Sequence, residues 1–479
     1  MKNYDPYKKT ILFFASLINI ALMTAVFAYV WYGYYAATMF QRISFYRRGN
    51  YALLALYAVL LFFFSNMYGG LKIGQLRRIE VMLSQYLSLF LTNLVAYMII
   101  SLLAFRLVSP VWLLGAMVVE MVVSSIWNVL IIHFYNLIFQ PWKILLIYGQ
   151  ERSAADLVFK VETRRDKYAI YDAINIDEGI EKIAEKMKDF QAVIIGDISA
   201  IKRNDILKYC YAHKVRAYVI PKLSDIILMG ADRIHVFDTP FLLSKGYTLS
   251  FDQRFWKRTL DLLIAVPLTL ITSPVMLLTA AAIKLYDGGS VFYKQTRCTR
   301  YEKEFEIYKF RSMIENAESD GVAKLAAEND SRITPIGKFI RATRIDELPQ
   351  LLNIIKGDMS FVGPRPERPE IMKEYCESMP EFKFRTRVKA GLTGFAQVYG
   401  KYNTTPYDKL KLDLFYIENY SLWLDLKLIL MTVKTILTKD ATEGVAQGQT
   451  TAQKQEQQQE PVEQIVQEIV NQQEEMEQK

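Results

Sequence analysis

Histidine and cysteine are scarce in this chain, with three of each in 479 residues. Cys210, Cys298 and Cys376 lie far apart and form no CxxC pair, which argues against a disulfide framework or a zinc site. His133, His213 and His235 are equally scattered, so a Ser-His-Asp triad or an HExxH metal site is a poor fit. No two aspartates stand one residue apart, which counts against a glycosyltransferase built on an Asp-x-Asp metal pair. A compact basic stripe interleaved with aromatics is also missing. The net charge of +8 therefore suggests membrane lipids and no nucleic acid as partner. Basic pairs such as Arg47-Arg48, Arg77-Arg78 and Lys257-Arg258 stand beside apolar runs, where they meet an anionic membrane surface.

Apolar residues are abundant but uneven. Thr10–Tyr35, Tyr51–Tyr68, Val81–Phe105 and Val108–Tyr135 each supply the roughly 20 apolar residues that a spanning helix needs. The first is too long for a secretory signal and has no small-residue cleavage site. Residues 1–140 therefore read as a four-helix transmembrane region. Lys2, Lys8, Lys9, Lys72, Arg77 and Arg78 outnumber Arg42, Arg47, Arg48 and Arg106, which favours a cytoplasmic N-terminus. Four spans then return the chain to the cytoplasm.

Residues 141–247 change pattern. Short apolar runs at Ile144–Ile147, Ala192–Ile195 and Ala217–Ile220 alternate with charged helical segments, as in a Rossmann-like α/β domain with a parallel sheet. Gly149 ends the first strand, but Gln150–Ala154 lacks the glycines of a dinucleotide loop. A structural or regulatory role fits better. A fifth apolar run, Leu262–Ile283, is interrupted by Pro267 and by Ser273-Pro274. Proline removes a helix hydrogen bond, so residues 258–285 read either as a kinked span or as a re-entrant pair of half-helices. Residues 248–440 follow as a surface-hugging catalytic segment, and 441–479 as a Gln/Glu-rich tail. Within the tail, Val462, Ile465, Val466, Ile469 and Val470 stand at helical spacing.

Chemistry concentrates around Arg341-Ala342-Thr343-Arg344-Ile345-Asp346-Glu347. Adjacent carboxylates repel, so both stay ionised only with cations nearby. A divalent metal and an arginine suit both the acids and a phosphate substrate, and a carboxylate can attack phosphorus. Alone, an Asp-Glu pair is commonly a solvated helix start. Its neighbours raise the stakes. Lys356–Glu367 contains Gly363-Pro364-Arg365-Pro366, a stiff turn able to aim Arg365. Phe292–Arg297 and Phe305–Met313 precede the pair, and Lys309 and Arg311 alternate on one strand face. Val388–Gly400 adds a second glycine-rich loop.

Taken in order, these segments resemble the bacterial sugar transferase family, the polyisoprenyl-phosphate hexose-1-phosphate transferases or monotopic phosphoglycosyl transferases. The likeness covers about Arg254–Asp440, and the layout is similar to the large members that begin capsule, exopolysaccharide or O-antigen synthesis. It implies a membrane protein with a mixed α/β catalytic domain and a re-entrant helix broken at Ser273-Pro274. It also implies a ping-pong reaction in which Asp346 attacks a UDP-sugar, UMP leaves, and undecaprenyl phosphate takes the sugar phosphate. Glu347 would help to bind Mg²⁺. Arg341 and Arg365 would contact phosphate, with Lys309 and Arg311 as weaker choices, and Asp425 matches a late acid of the family. Such members work as homodimers in the cytoplasmic membrane with the dyad on the cytoplasmic face. Cys298 and Phe395 depart from the family's usual Gly and Trp. The competing reading is a non-enzymatic membrane scaffold or regulator of polysaccharide assembly.

Overall fold

The computed structural model describes residues 7–39, 47–164, 167–245, 248–314, 332–400, 404–437 and 461–477. They divide into two compact units, Met1–Ile220 with Glu456–Lys479, and Pro221–Gln455.

The first unit opens with four long helices: α1 (Lys8–Val30, continued by a π-helical turn Trp31–Ala36), α2 (Arg47–Tyr68), α3 (Arg78–Leu103) and α4 (Val111–Ile138). All four are long and apolar enough to cross a membrane, and the chain is a membrane protein. Phe13, Phe62, Leu102 and Val118 face outward, as lipid contact requires. A set of polar residues, among them Gln85, Asn93, Glu120, Ser124 and Asn128, is buried between the helices. Glu120 accepts hydrogen bonds from the Tyr57 hydroxyl (2.8 Å) and Asn93 Nδ2 (2.7 Å). Ser124 and Asn128, on the same face of α4, donate to Gln85 Oε1 of α3. In an apolar solvent such pairs bind helices together and fix their register.

An α/β layer follows: β1 (Trp142–Tyr148), α5 (Glu151–Glu162), β2 (Tyr168–Asn175), α6 (Ile180–Lys186), β3 (Ala192–Ile195), α7 (Ala200–Ala212) and β4 (Arg216–Val219). The strands run parallel in the order β2-β1-β3-β4. Both faces of β1 are buried, which explains its unbroken aliphatic run. Leu145, Ile147, Val193 and Ile195 pack against Ile183 of α6 and Ile206 of α7. Ile144, Leu146, Ile170 and Ala173 pack against Ala154, Ala155 and Val158 of α5.

The second unit begins with α8 (Leu223–Met229) and an antiparallel hairpin, β5 (Asp232–Val236) and β6 (Thr239–Leu243). Then comes α9, Phe251–Asp287, started by a capping box between Ser250 and Gln253. Helical structure continues across the expected break. The helix runs without interruption through Pro267 and Pro274. Pro274 has no N–H for the Leu270 carbonyl, and Ser273 Oγ donates to that oxygen instead (2.8 Å). By length α9 is also a fifth candidate span. Its two ends, however, are held by the same unit. Near the start, Arg258 donates to the Ile354 and Ile355 carbonyls, and Asp261 accepts from Ser360 Oγ and Phe361 N. Near the finish, Ile283 packs on Phe310 and Ile340, and Asp287 pairs with Arg311. Leu270, Ile271, Leu277 and Leu278 between them are all exposed.

The rest of the unit comprises the hairpin β7 (Phe292–Cys298) and β8 (Glu304–Phe310), α10 (Pro335–Ala342), α11 (Gln350–Lys356), β9 (Ser360–Val362), α12 (Pro369–Ser378), β10 (Gly391–Thr393), α13 (Phe395–Tyr399), α14 (Pro406–Glu418) and α15 (Leu422–Ile436). β9 and β10 pair in parallel and bring the two glycine-rich loops together. A Cβ on Gly363, Gly391 or Gly394 would strike the backbone of the opposite loop, so this contact requires glycine. The last helix, α16 (Val462–Glu477), packs back on the α/β layer of the first unit. The start of the tail, residues 441–460, lies outside the described residues.

Candidate active site

Asp346 and Glu347 lie in a single 3₁₀ turn, Ile345–Glu347, between α10 and α11. Arg344 adopts a left-handed conformation (φ +57°), which turns the chain sharply out of α10. Ile345 packs beside Ile283, Phe310 and Ile340, so the turn rests on the C-terminal part of α9. Asn353 of α11 accepts from Tyr308 N (3.0 Å) and donates to the Glu306 carbonyl (2.7 Å). That pair of bonds fixes β8, and with it Lys309, opposite the turn.

The two acids are treated differently. Glu347 Oε1 meets Lys309 Nζ at 3.0 Å, Arg365 Nη2 at 3.4 Å and Arg344 Nη1 at 4.0 Å. Burial alone would raise its pKa, but Lys309, Arg365 and Arg344 overcome that and hold the carboxyl far below the usual range. Asp346 is buried, at 9% exposure, and its Oδ1 has no hydrogen-bond partner. Burial and then the charge of Glu347 push its pKa up. Lys309, Arg344 and Arg341 pull the other way.

Arg365 is aimed from behind. Arg385, only 2% exposed, donates to the Arg365 carbonyl (3.0 Å) and pairs with Asp413 and Glu367. Lys409 also reaches Glu367 (2.8 Å), and Arg297 donates to the Pro366 carbonyl (3.1 Å). Burial pushes the Glu367 carboxyl up, but Lys409 and Arg385 bring it down to about 2. This clamp was not singled out from the sequence. Its partners are far apart in the chain, and the one hint is Asp413 in the otherwise apolar run Leu412–Leu414.

The remaining sequence candidates separate. Lys309 reaches the dyad, whereas Arg311 lies beyond the end of β8 and pairs with Asp287 at the end of α9. Asp425 is buried with Lys257 (2.7 Å) and the Tyr416 hydroxyl (2.7 Å), where it fastens α9 to α15. Ser273 and Pro274 stay within α9. Among the described residues no three His, Cys, Asp or Glu side chains converge as a ready metal cage. An orphaned buried carboxylate oxygen beside a second acid does suit Mg²⁺, which needs only one or two carboxylates when phosphates complete its shell.

Comparison with known proteins fits this placement. The family described as bacterial sugar transferase matches residues 252–439, which contain the whole cluster. The chain is 44% identical over 187 residues to the UDP-N-acetylgalactosamine-undecaprenyl-phosphate N-acetylgalactosaminephosphotransferase of Aeromonas hydrophila, covering 38% of this chain and 44% of that one. It is 35% identical over 239 residues to the undecaprenyl-phosphate galactose phosphotransferase of Salmonella typhimurium, covering 46% and 49%. It is 42% identical over 189 residues to the UDP-glucose:undecaprenyl-phosphate glucose-1-phosphate transferase of Caulobacter vibrioides, covering 38% and 70%. The chain thus spans about half the length of the first two relatives and over two thirds of the third.

Proposed function

The chain belongs to the bacterial sugar transferase family, and we propose that it transfers a sugar-1-phosphate from a UDP-sugar to undecaprenyl phosphate. The observation that carries this reading is the unequal pair: an orphaned, buried Asp346 oxygen beside a Glu347 whose Oε1 meets Lys309 and Arg365. The Asp346 carboxylate attacks the β-phosphorus of the donor. The bond from that phosphorus to the bridging oxygen breaks, and UMP leaves with the electron pair. An oxygen of the polyprenyl phosphate then attacks the same phosphorus. The aspartyl bond breaks, Asp346 returns to its carboxylate, and a polyprenyl-diphosphate-sugar departs.

Asp346 must be ionised to attack, and Lys309, Arg344 and Arg341 favour that state. Arg365 and Arg341 bind the phosphates and stabilise charge developing in the transition state. Asp346 and Glu347 would hold Mg²⁺, which supplies charge neutralisation at the phosphates. Arg385 and Glu367 position the Arg365 loop.

The donor is made in the cytoplasm, so the dyad belongs on the cytoplasmic face of the bacterial inner membrane. A re-entrant α9 satisfies this, and its two ends tied to one unit support it. The enzyme acts as a homodimer at the first membrane step of capsule, exopolysaccharide or O-antigen synthesis. The names of the three relatives carry three different sugars, so the donor is stated as a class.

The test is product identity. With Mg²⁺, undecaprenyl phosphate and a panel of UDP-sugars, wild type releases UMP and Asp346→Asn does not. Release of UDP would make the reaction ordinary glycosyl transfer and end the proposal.

A further inference from the structure

The family match stops at residue 439. The chain continues, and its last helix sits on the α/β layer of the first unit. The sheet itself is one helix short. Its own connections place α6 and α7 on one face but only α5 on the other. Parallel sheets need cover on both faces. Without more, Ile144, Leu146, Ile170 and Ala173 would have a single helix over them.

α16 fills the gap, packing against β2 and α5. Val462 and Val466 are 0% and 2% exposed, and Ile465, Ile469 and Val470 pack beside them. These positions form one aliphatic stripe at i, i+3, i+4, i+7 and i+8. The seat also recognises the start of the helix. Glu151 Oε2 accepts from Val462 N at 3.0 Å, a donor that a helix N-terminus otherwise leaves unpaired. The Tyr148 hydroxyl donates to Glu151 (3.0 Å) and lies 3.4 Å from Glu463. This fixes the direction and the register of the docked segment.

We infer that the groove between α5 and β2 is a docking site for an amphipathic helix, occupied by segment 461–477 of the same chain as a detachable strap. The segment has the properties of a ligand more than those of a core element. It follows the Gln/Glu-rich residues 441–460 instead of a neighbouring strand. Its outer positions Gln464, Gln467, Glu468 and Asn471 are polar and exposed, so it remains soluble when released. A lone helix of this length is marginal in water, so docking and folding occur together. The tether raises the local concentration of the helix at its groove. The ligand chemistry is a short helix with a Val/Ile stripe and a free backbone N–H at its first turn.

Hydrogen exchange on the full chain reads this directly. Val466→Asp should speed exchange at least tenfold in residues 151–162 and 168–175, with β3 and α7 unchanged. Gln467→Asp, one residue along on the exposed side, should change nothing. Exchange rising evenly across the whole layer, or not rising at all, would overturn the proposal. Because Val466→Asp could unfold the layer, a second measurement leaves the helix intact. A protease site inserted between Gln447 and Gly448 frees the tail from an otherwise unaltered chain. The freed tail should stay bound, be displaced by excess 461–477 peptide, and resist the same peptide carrying Val466→Asp. A tail that leaves at once, or that no peptide displaces, contradicts a docking site. So does recovery of the freed tail on a differently tagged copy lacking the protease site, because the occupant would then be a second chain.

Discussion

The carboxyl end of β1 and the turn at Asp346 make an instructive pair. Parallel sheets commonly hold ligands at such strand ends, yet here Tyr148, Glu151 and Glu463 meet there and no glycine-rich loop is present. The Asp346 turn has no extended sheet behind it, and three cations gather on Glu347. Regular architecture therefore hosts a protein contact, while the irregular segment gathers the acids and cations to which the chemistry is assigned in our proposal. A second contrast lies within the catalytic unit. Asp413 and Asp425 are buried like Asp346, but each has a cation and hydrogen bonds. Of these three, only the carboxylate in the turn keeps an orphaned oxygen. The partnered carboxylates fasten elements together, and the one with an orphaned oxygen is the one proposed to react.

Several substitutions sharpen or break that contrast. The largest effect is expected at Glu347. Glu347→Gln should lower turnover by about 10²- to 10³-fold by removing the group that organises the cations. It should also move the acid limb of the pH–rate profile. In the proposed mechanism Asp346 reacts as a carboxylate, so the rate should fall as pH drops through its raised pKa. Removing the neighbouring charge should shift that limb to lower pH. An unmoved limb would mean that another group sets it.

Next come Lys309→Met and Arg365→Met, each expected to cost roughly 10- to 100-fold in kcat/KM. Arg311→Met should instead lower the melting temperature and leave kcat within about threefold, because Arg311 braces α9. A loss at Arg311 equal to that at Lys309 would erase the distinction between them. Lys257→Met should destabilise by about 3–5 kcal/mol, since it strands Asp425 in the interior. Lys257→Met with Asp425→Leu should regain most of that in thermal melts. The smallest effect concerns Glu367. Its folded pKa of about 2 lies below the ordinary value of 4.5. It therefore stabilises the fold above pH 4.5, and that contribution is lost as pH falls towards 2. Glu367→Gln should flatten the acid side of the stability profile, and an unchanged slope would remove the clamp from the account.

Much of this organisation was legible in the sequence, for uneven reasons. Four spans showed themselves through length and hydropathy, which a bilayer dictates. Ile144–Ile147 read as a buried strand because it is aliphatic without break. β2 escaped notice because Tyr171 and Asp172 interrupt its apolar pattern. The dyad carried little signal alone and became readable through the loops around it. Arg385, Asp413 and Glu367 were invisible because pairing across distant segments leaves no local pattern. The prolines of α9 did not foretell that helical structure would continue through them, because Ser273 takes up the Leu270 carbonyl within the helix itself.

The central claim is that Asp346 carries the sugar phosphate between donor and acceptor. Wild type incubated with a UDP-sugar labelled at the β-phosphorus, without polyprenyl phosphate, should retain label on a peptide containing Asp346. Later addition of undecaprenyl phosphate should remove it, and Asp346→Asn should retain none. Product formed with no label on the wild-type chain at any time, or equal labelling of Asp346→Asn, would contradict the account.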